Sequence, residues 1–158
     1  MMIFQKLTRN RFAGTLLALL VLVFGTSGVL AQKFPTDIVK IQTTKGEFVF
    51  KTEIAITNEQ RRMGLMFRKS MAEDAAMLFS WREQQPVSMW MKNTYISLDM
   101  IFIRQNGQVA NIARATTPLS LETVSSDGLV GAVLEVIAGT ADRIGLKPGD
   151  MVLLPKAQ

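Results

Sequence analysis

Apolar and polar residues alternate over residues 37–44 and again over 47–55, with Lys45-Gly46 between the two runs. A period of two sends successive side chains to opposite faces of a strand, so the pattern predicts a hairpin with a two-residue turn. Thr57 stands three residues before Gln60, the spacing at which a hydroxyl and an amide cap a helix start reciprocally. That helix is expected to run to about Met66, with Gly64 interrupting or ending it. Residues 76–79 read as a short buried strand and 81–85 as a turn. Pro86 fits a strand's first residue, where a missing donor does little harm. Two strands, 87–91 and 98–103, then flank a tight polar corner at 92–95.

Asn106-Gly107 tolerates positive φ at both central positions and is expected to join 98–105 to 108–115 through a primed two-residue turn. Paired residue numbers then sum to 213, which sets Asp99 opposite Arg114, Ile101 opposite Ile112 and Ile103 opposite Ala110. Residues 116–128 are rich in Thr, Ser, Pro and Asp and read as a long surface loop. Residues 129–138 are apolar apart from Glu135, as expected of a central strand. Thr140 is placed to cap a short helix at 141–144, closed by Gly145, and Pro148-Gly149 suits the middle of a type II turn before a last strand at 151–154. The order β-β-α-β-β-β-β-β-α-β predicts an α+β, predominantly β domain. Its sheet should be small, curled and mostly antiparallel or barrel-like, with two short helices.

The first residues stand apart from this pattern. Lys6, Arg9 and Arg11 make a basic start, 12–24 is almost wholly apolar, and Val29-Leu30-Ala31 puts small residues where a signal peptidase cuts. Residues 1–31 are therefore expected to be a cleaved signal peptide, leaving 32–158 as one compact β-rich domain in the periplasm or outside the cell. An uncleaved anchor is the alternative, although the apolar run is shorter than the ~20 residues a bilayer span prefers. Removing the leader changes the charge. Whole, the chain carries 18 Lys+Arg against 13 Asp+Glu; without the leader's three bases it carries 15 against 13, a net +2 in place of +5. The remaining basic cluster, Arg61, Arg62, Arg68 and Lys69, surrounds a single helix, so no nucleic-acid partner is expected, and no membrane once the leader is gone.

Cysteine and histidine are both absent. That excludes disulfides, the usual zinc and copper(II) sites, and Cys–His or Ser–His nucleophile pairs. No metal and no cofactor is expected. Methionine thioethers can ligate copper(I), and eight of the ten methionines remain after the leader. Met89 and Met91 would share one strand face with Trp90 on the other, so core filling is the better account. Ser88 and Lys92 lack the Ser-x-x-Lys spacing of a hydrolase pair.

The phrases Glu59-x-x-Arg62-x-Gly64-Leu65-Met66-Phe67-Arg68, Met77-Leu78-Phe79 and Trp90-Met91-Lys92-Asn93-Thr94 with Leu98-Asp99 resemble domain-of-unknown-function family 192. Glu135, Gly139, Gly145 and Gly149-Asp150 extend the resemblance towards the C-terminus, and Met89 departs from it where an aromatic is usual. The resemblance implies a compact, mostly β domain, often secreted, and supplies no activity.

The residues themselves suggest two chemistries. Trp90, Lys92, Asn93 and Tyr95 at the corner could form a small pocket: a cation, an amide and an aromatic wall for a small polar ligand or an envelope protein. An ordinary solvated turn is the plainer account. Glu135 inside its apolar run needs a partner, with Arg62, Arg68 and Lys92 the candidates for a structural pair. A non-catalytic binding or interaction module is thus the leading expectation. A carboxylate-based hydrolase or lyase acting on a saccharide or cell-wall fragment, with Asp99 and Glu135 as its acids, is the alternative. Asp99 is expected to serve structurally, paired across the ladder with Arg114.

Overall fold

Strands form where the alternation places them, and the sheet they build bends back on itself. The computed structural model describes residues 33–155, so the expected leader and its cleavage point lie outside the described residues. In chain order the elements are β1 (Thr36–Thr43), β2 (Gly46–Ala55), α1 (Asn58–Met63), β3 (Ala75–Gln85), β4 (Ser88–Met89), β5 (Leu98–Ile103), β6 (Val109–Ala113), β7 (Val124–Ser125), β8 (Val130–Ile137), α2 (Thr140–Ile144) and β9 (Met151–Leu153). Seven strands make one sheet in the order β6-β5-β8-β3-β2-β1-β9, and β4 pairs with β7 in a second, two-stranded sheet. Only β2 and β3 run parallel, with α1 lying between them in the chain. The architecture is the predominantly β, curled sheet with two short helices that the pattern predicts.

The two edges of the large sheet meet. Gln108 bridges Met151, the Val109 N–H donates to the Asp150 carbonyl at 2.9 Å, and the Val152 N–H donates to the Gly107 carbonyl at 2.8 Å. Gly107 permits this approach twice over. Its φ is +88°, and a Cβ there would stand 2.6 Å from the Val152 carbonyl oxygen. All seven strands feed one buried cluster that fills the inside of the curl, with Ile41, Phe50, Leu78, Ile101, Val109, Leu134 and Val152 from the strands and Ile144 from α2. A second cluster covers the outside of β3, β8 and β5, where Met77, Phe79, Val133, Met100 and Phe102 lie under Leu65, Val87, Met91 and Ile96. Every residue of β5 is therefore buried, which explains its unbroken apolar run.

Several boundaries move, each for a local reason. The first hairpin turns on Thr44-Lys45, because Gly46 already pairs with Thr43 and the Thr43 hydroxyl accepts the Lys45 N–H at 3.0 Å. The capping box forms as expected: Gln60 N–H to Thr57 Oγ1 at 3.1 Å and Thr57 N–H to Gln60 Oε1 at 3.0 Å. The helix stops at Met63, not Met66, because Gly64 takes φ +47° and a Cβ on it would lie 3.0 Å from the Phe79 ring. Residues 81–85 do not turn; they prolong β3 through an irregularity between Ser80 and Gln85. The expected loop at 116–128 contains β7, the partner of β4.

The Asn106-Gly107 turn is also of a different kind. Only Gly107 has positive φ, Arg104 N–H reaches the Gln108 carbonyl, and Gly107 N–H reaches the Arg104 carbonyl, the pattern of a three-residue loop with a glycine bulge. Ile103 therefore faces Val109, not Ala110; a further bulge then restores the expected register at Phe102↔Asn111, Ile101↔Ile112 and Met100↔Ala113. The ladder ends there, and Asp99 does not pair with Arg114. Its Oδ1 accepts the Ala115 N–H at 2.9 Å and its Oδ2 the Ala141 N–H at 2.8 Å. Arg114 instead reaches Asp142 at 2.8 Å and the Leu146 carbonyl at 2.8 Å. Nor is Thr140 the cap of α2: Gly139 is, with no side chain to offer, and Asp99 supplies the acceptor from β5. Two backbone donors, one at a helix start, satisfy the buried carboxylate without desolvating a guanidinium as well.

Asp99→Ala strands the buried Ala141 N–H and the part-buried Ala115 N–H and is expected to cost roughly 2–5 kcal/mol. Arg114→Gln removes a partly exposed pair and should cost about 1 kcal/mol or less. Urea unfolding of the two variants checks the contrast; equal losses would argue for a direct Asp99–Arg114 pair.

Candidate functional site

Side-chain alternation on β8 decides what the site can be. Glu135 pairs with Met77 of β3 on one side and Met100 of β5 on the other, so it shares their outward face. Asp99, one residue off in register, pairs with Val136 and points into the curl. The two acids thus lie on opposite faces of the sheet, and both Asp99 oxygens are already filled. This separation takes Asp99 out of any two-carboxylate site and leaves Glu135 alone.

Glu135 is 4% exposed and forms none of the ion pairs among the described residues. Arg68, one expected partner, grips Glu53 with both guanidinium nitrogens, at 2.8 and 2.5 Å. Lys92, another, sits 5.2 Å from the Trp90 ring centroid. Arg62, the third, shares a cleft with Glu135 without bonding to it. Among the described residues no fully buried side-chain nitrogen or oxygen lacks a hydrogen-bond partner. The unbonded Glu135 carboxyl therefore opens onto that cleft.

The cleft holds about 260 Å³. One wall is the end of α1 and the chain after it: Arg61, Arg62, Met63, Gly64, Leu65 and Met66. The other is Ser88, Met89, Trp90 and Thr94; Phe79 and Trp81 of β3 line it between them, with Glu135 of β8. Gly64 lets the first wall lie flush on the Phe79 ring. Arg61 is held in place, its guanidinium 5.4 Å from the Trp81 centroid and donating to the Ser80 carbonyl at 2.7 Å and to the Ile56 carbonyl.

Of the four corner residues expected to bind a ligand, only Trp90 lines the cleft. Asn93 is a clasp: at φ +56° its carbonyl accepts the Phe67 N–H at 2.8 Å, and its amide reaches the Met66 sulfur at 3.9 Å. Tyr95 meets Phe67 edge-on at 6.5 Å. Lys92 backs Trp90. The corner buttresses the cleft and, apart from Trp90 and Thr94, does not line it. Met89 and Trp90 both line it, against the expected alternation, because β4 ends at Met89 and the period of two ends with it. Met91 is buried, its sulfur accepting the Thr116 hydroxyl at 3.2 Å.

Arg61, Phe79, Trp81 and Met89 were not read from the sequence as site residues. A signal for their neighbourhood exists, since the helix-end phrase around Arg62-x-Gly64-Leu65-Met66 and the phrase Trp90-Met91-Lys92-Asn93-Thr94 form the facing walls.

A family model matches residues 39–154: DUF192, described as an uncharacterized ACR. The chain belongs to the DUF192 family. Among solved structures it is similar to a Sinorhizobium meliloti 1021 protein carried under the name of a candidate transcription regulator. That match has 40% identity and a TM-score of 0.75 over 77% of this chain and 95% of that one. It is also similar to a Novosphingobium aromaticivorans DSM 12444 protein of unknown function, at 34% identity and a TM-score of 0.76, over 79% of this chain and 89% of that one. No curated protein matches it. Of the residues that carry the DUF192 resemblance, Arg62, Gly64, Leu65, Met66, Phe79, Trp90, Thr94 and Glu135 come from separate stretches of the chain and line the cleft, while others, Asp99, Gly139, Gly145 and Gly149-Asp150 among them, do not.

Burial pushes the Glu135 carboxyl from its ordinary 4.5 up to about 8, so it is neutral at pH 7. Between those values the unfolded chain ionises while the folded one keeps the proton. Stability from this group is complete below about pH 4.5 and is lost as pH rises to about 8. Glu135→Gln, neutral at every pH, is expected to raise stability at pH 8 by on the order of 1–3 kcal/mol and to flatten this slope. Thermal melts from pH 4 to pH 9 check it; a variant less stable than the parent at pH 8 would show an ionised, paired Glu135.

Proposed function

We propose that this DUF192 protein is a non-catalytic binding module of the periplasm, and that its ligand sits in the Glu135 cleft beside the corner at 92–95. One observation carries the reading: family-motif residues from separate stretches line a single cleft with one buried carboxyl that has no partner among the described residues. Apolar walls with a few convergent polar groups and a perturbed acid are the usual makings of a small-molecule site. The volume of about 260 Å³ suits a ring or short chain with one polar head. A saccharide hydrolase or lyase using Asp99 and Glu135 is not favoured, because the acids face opposite ways.

The Sinorhizobium protein's name points to transcription. The basic cluster here supports that poorly. Arg61 is tied to backbone carbonyls and Arg68 to Glu53, which leaves little free charge for a phosphate backbone. The periplasmic address rests on the leader read from residues 1–31.

The chain's two tryptophans, Trp81 and Trp90, both line the cleft, so their indole N–H signals report on it directly. A screen of envelope saccharides, amino acids and aromatic acids is expected to yield a ligand that shifts both signals. Trp90→Ala should weaken that ligand by up to about tenfold, the worth of one aromatic contact. A ligand that moves only Lys92 and Tyr95 would return the site to the corner. Intact mass of periplasmic protein tests the address, with a product beginning at Gln32 expected.

A further inference from the structure

Resting on the binding reading above, we infer that the cleft takes a small organic anion, its apolar body against the tryptophans and its charged head between Arg62 and the Glu135 carboxyl. The charged side chains of the lining are Arg61, Arg62 and Glu135 alone. Arg61 is spent on Trp81 and the backbone. Arg62 joins none of the ion pairs among the described residues, and an unpaired guanidinium at the mouth offers two parallel donors that fit a carboxylate. A cation entering the same space meets two like charges before it reaches the acid.

The Glu135 carboxyl makes the discrimination sharper. It is nearly wholly buried, has no hydrogen bond among the described residues and opens onto the cleft. Its neighbours on the sheet are Met77 from β3 and Met100 from β5; α1 and the residues after it contribute Arg61 and Arg62, and the opposite wall Trp90 and Thr94. None of these except Glu135 changes charge near neutral pH. A protonated acid there donates its O–H to an anionic oxygen, and bound anion holds that proton more tightly still. Once Glu135 ionises, two negative groups share the floor and the anion is expelled. Affinity for an anion should therefore fall as pH passes about 8, whereas affinity for a cation would rise.

Phenylacetate, phenethyl alcohol and phenethylamine present one aromatic body with anionic, neutral and cationic heads. Titrated at pH 7 against the indole N–H signals of Trp81 and Trp90, phenylacetate is expected to bind at least tenfold more tightly than the other two. It should lose most of that advantage at pH 9. Glu135→Gln should keep phenylacetate binding at pH 7 and remove its pH dependence. Arg62→Gln should weaken phenylacetate about tenfold and leave phenethyl alcohol unchanged. A preference for phenethylamine that Glu135→Gln abolishes, or equal binding of acid and alcohol, would overturn the anion assignment while leaving the cleft a binding site. Failure of all three to move either indole signal would overturn the binding reading, and the anion with it.

Discussion

Closure of the sheet governs everything else in this fold. The Gly107 backbone lies against Val152 so closely that no side chain fits between them, and through that contact β6 and β9 become neighbours. An open seven-stranded sheet would leave two edges and two broad faces to protect. Closed, it has one interior, filled by residues from every strand, and one outer surface. Only part of that surface can be left polar, because β3, β8 and β5 are apolar on both sides. The outer faces of these three strands need a second cover, supplied by Leu65 after α1, Met91 and Ile96 on either side of the corner, and Val87, Met89 and Val124 at the β4–β7 pair. The cleft is the place where that cover is incomplete.

Two buried carboxyls on adjacent strands show how environment divides their roles. Asp99 looks into the curl and receives two backbone N–H donors, so its charge is balanced by the start of α2 and serves to anchor that helix. Glu135 looks outward among Met77 and Met100 and receives none, so burial alone sets its behaviour and favours the protonated form. A one-residue difference in register separates a structural acid from one left free to meet a ligand. A one-residue slip of β5 would turn Asp99 outward onto the face of Glu135 and take its oxygens from the Ala115 and Ala141 N–H groups, which is one reason the register is firmly held.

The elements were legible because they rest on local periodicity. The 37–55 hairpin, the Thr57–Gln60 capping box, the central 129–138 strand and the Gly145 stop all follow from spacing that neighbours in sequence enforce. The failures share a different cause. Asn106-Gly107 reads as a primed turn, yet the approach of Val152 from the far end of the chain selects a bulged loop and shifts the last rung. Thr140 reads as a cap, yet Asp99, some forty residues earlier, takes that duty. The corner was legible as a concentration of polar and aromatic residues, but its partner was not: nothing near residue 92 announces that residues 61–66 will face it.

The corner's geometry explains why it resembled a site. Phe67, Asn93 and Leu119 all hold positive φ, at +65°, +56° and +63°. For side chains other than glycine that region costs on the order of 1–2 kcal/mol per residue, so something must hold all three there. They hold one another. Phe67 donates to the Asn93 carbonyl, and Leu119 donates to the carbonyl of Thr94, the next residue along. The clasp ties the segment after α1 to the segment after β4, which are the two walls of the cleft. Rich polar chemistry at 92–95 is therefore spent on fixing a distance between walls, and the surface so positioned, with Arg62 on one side and Trp90 on the other, is where a ligand would be read.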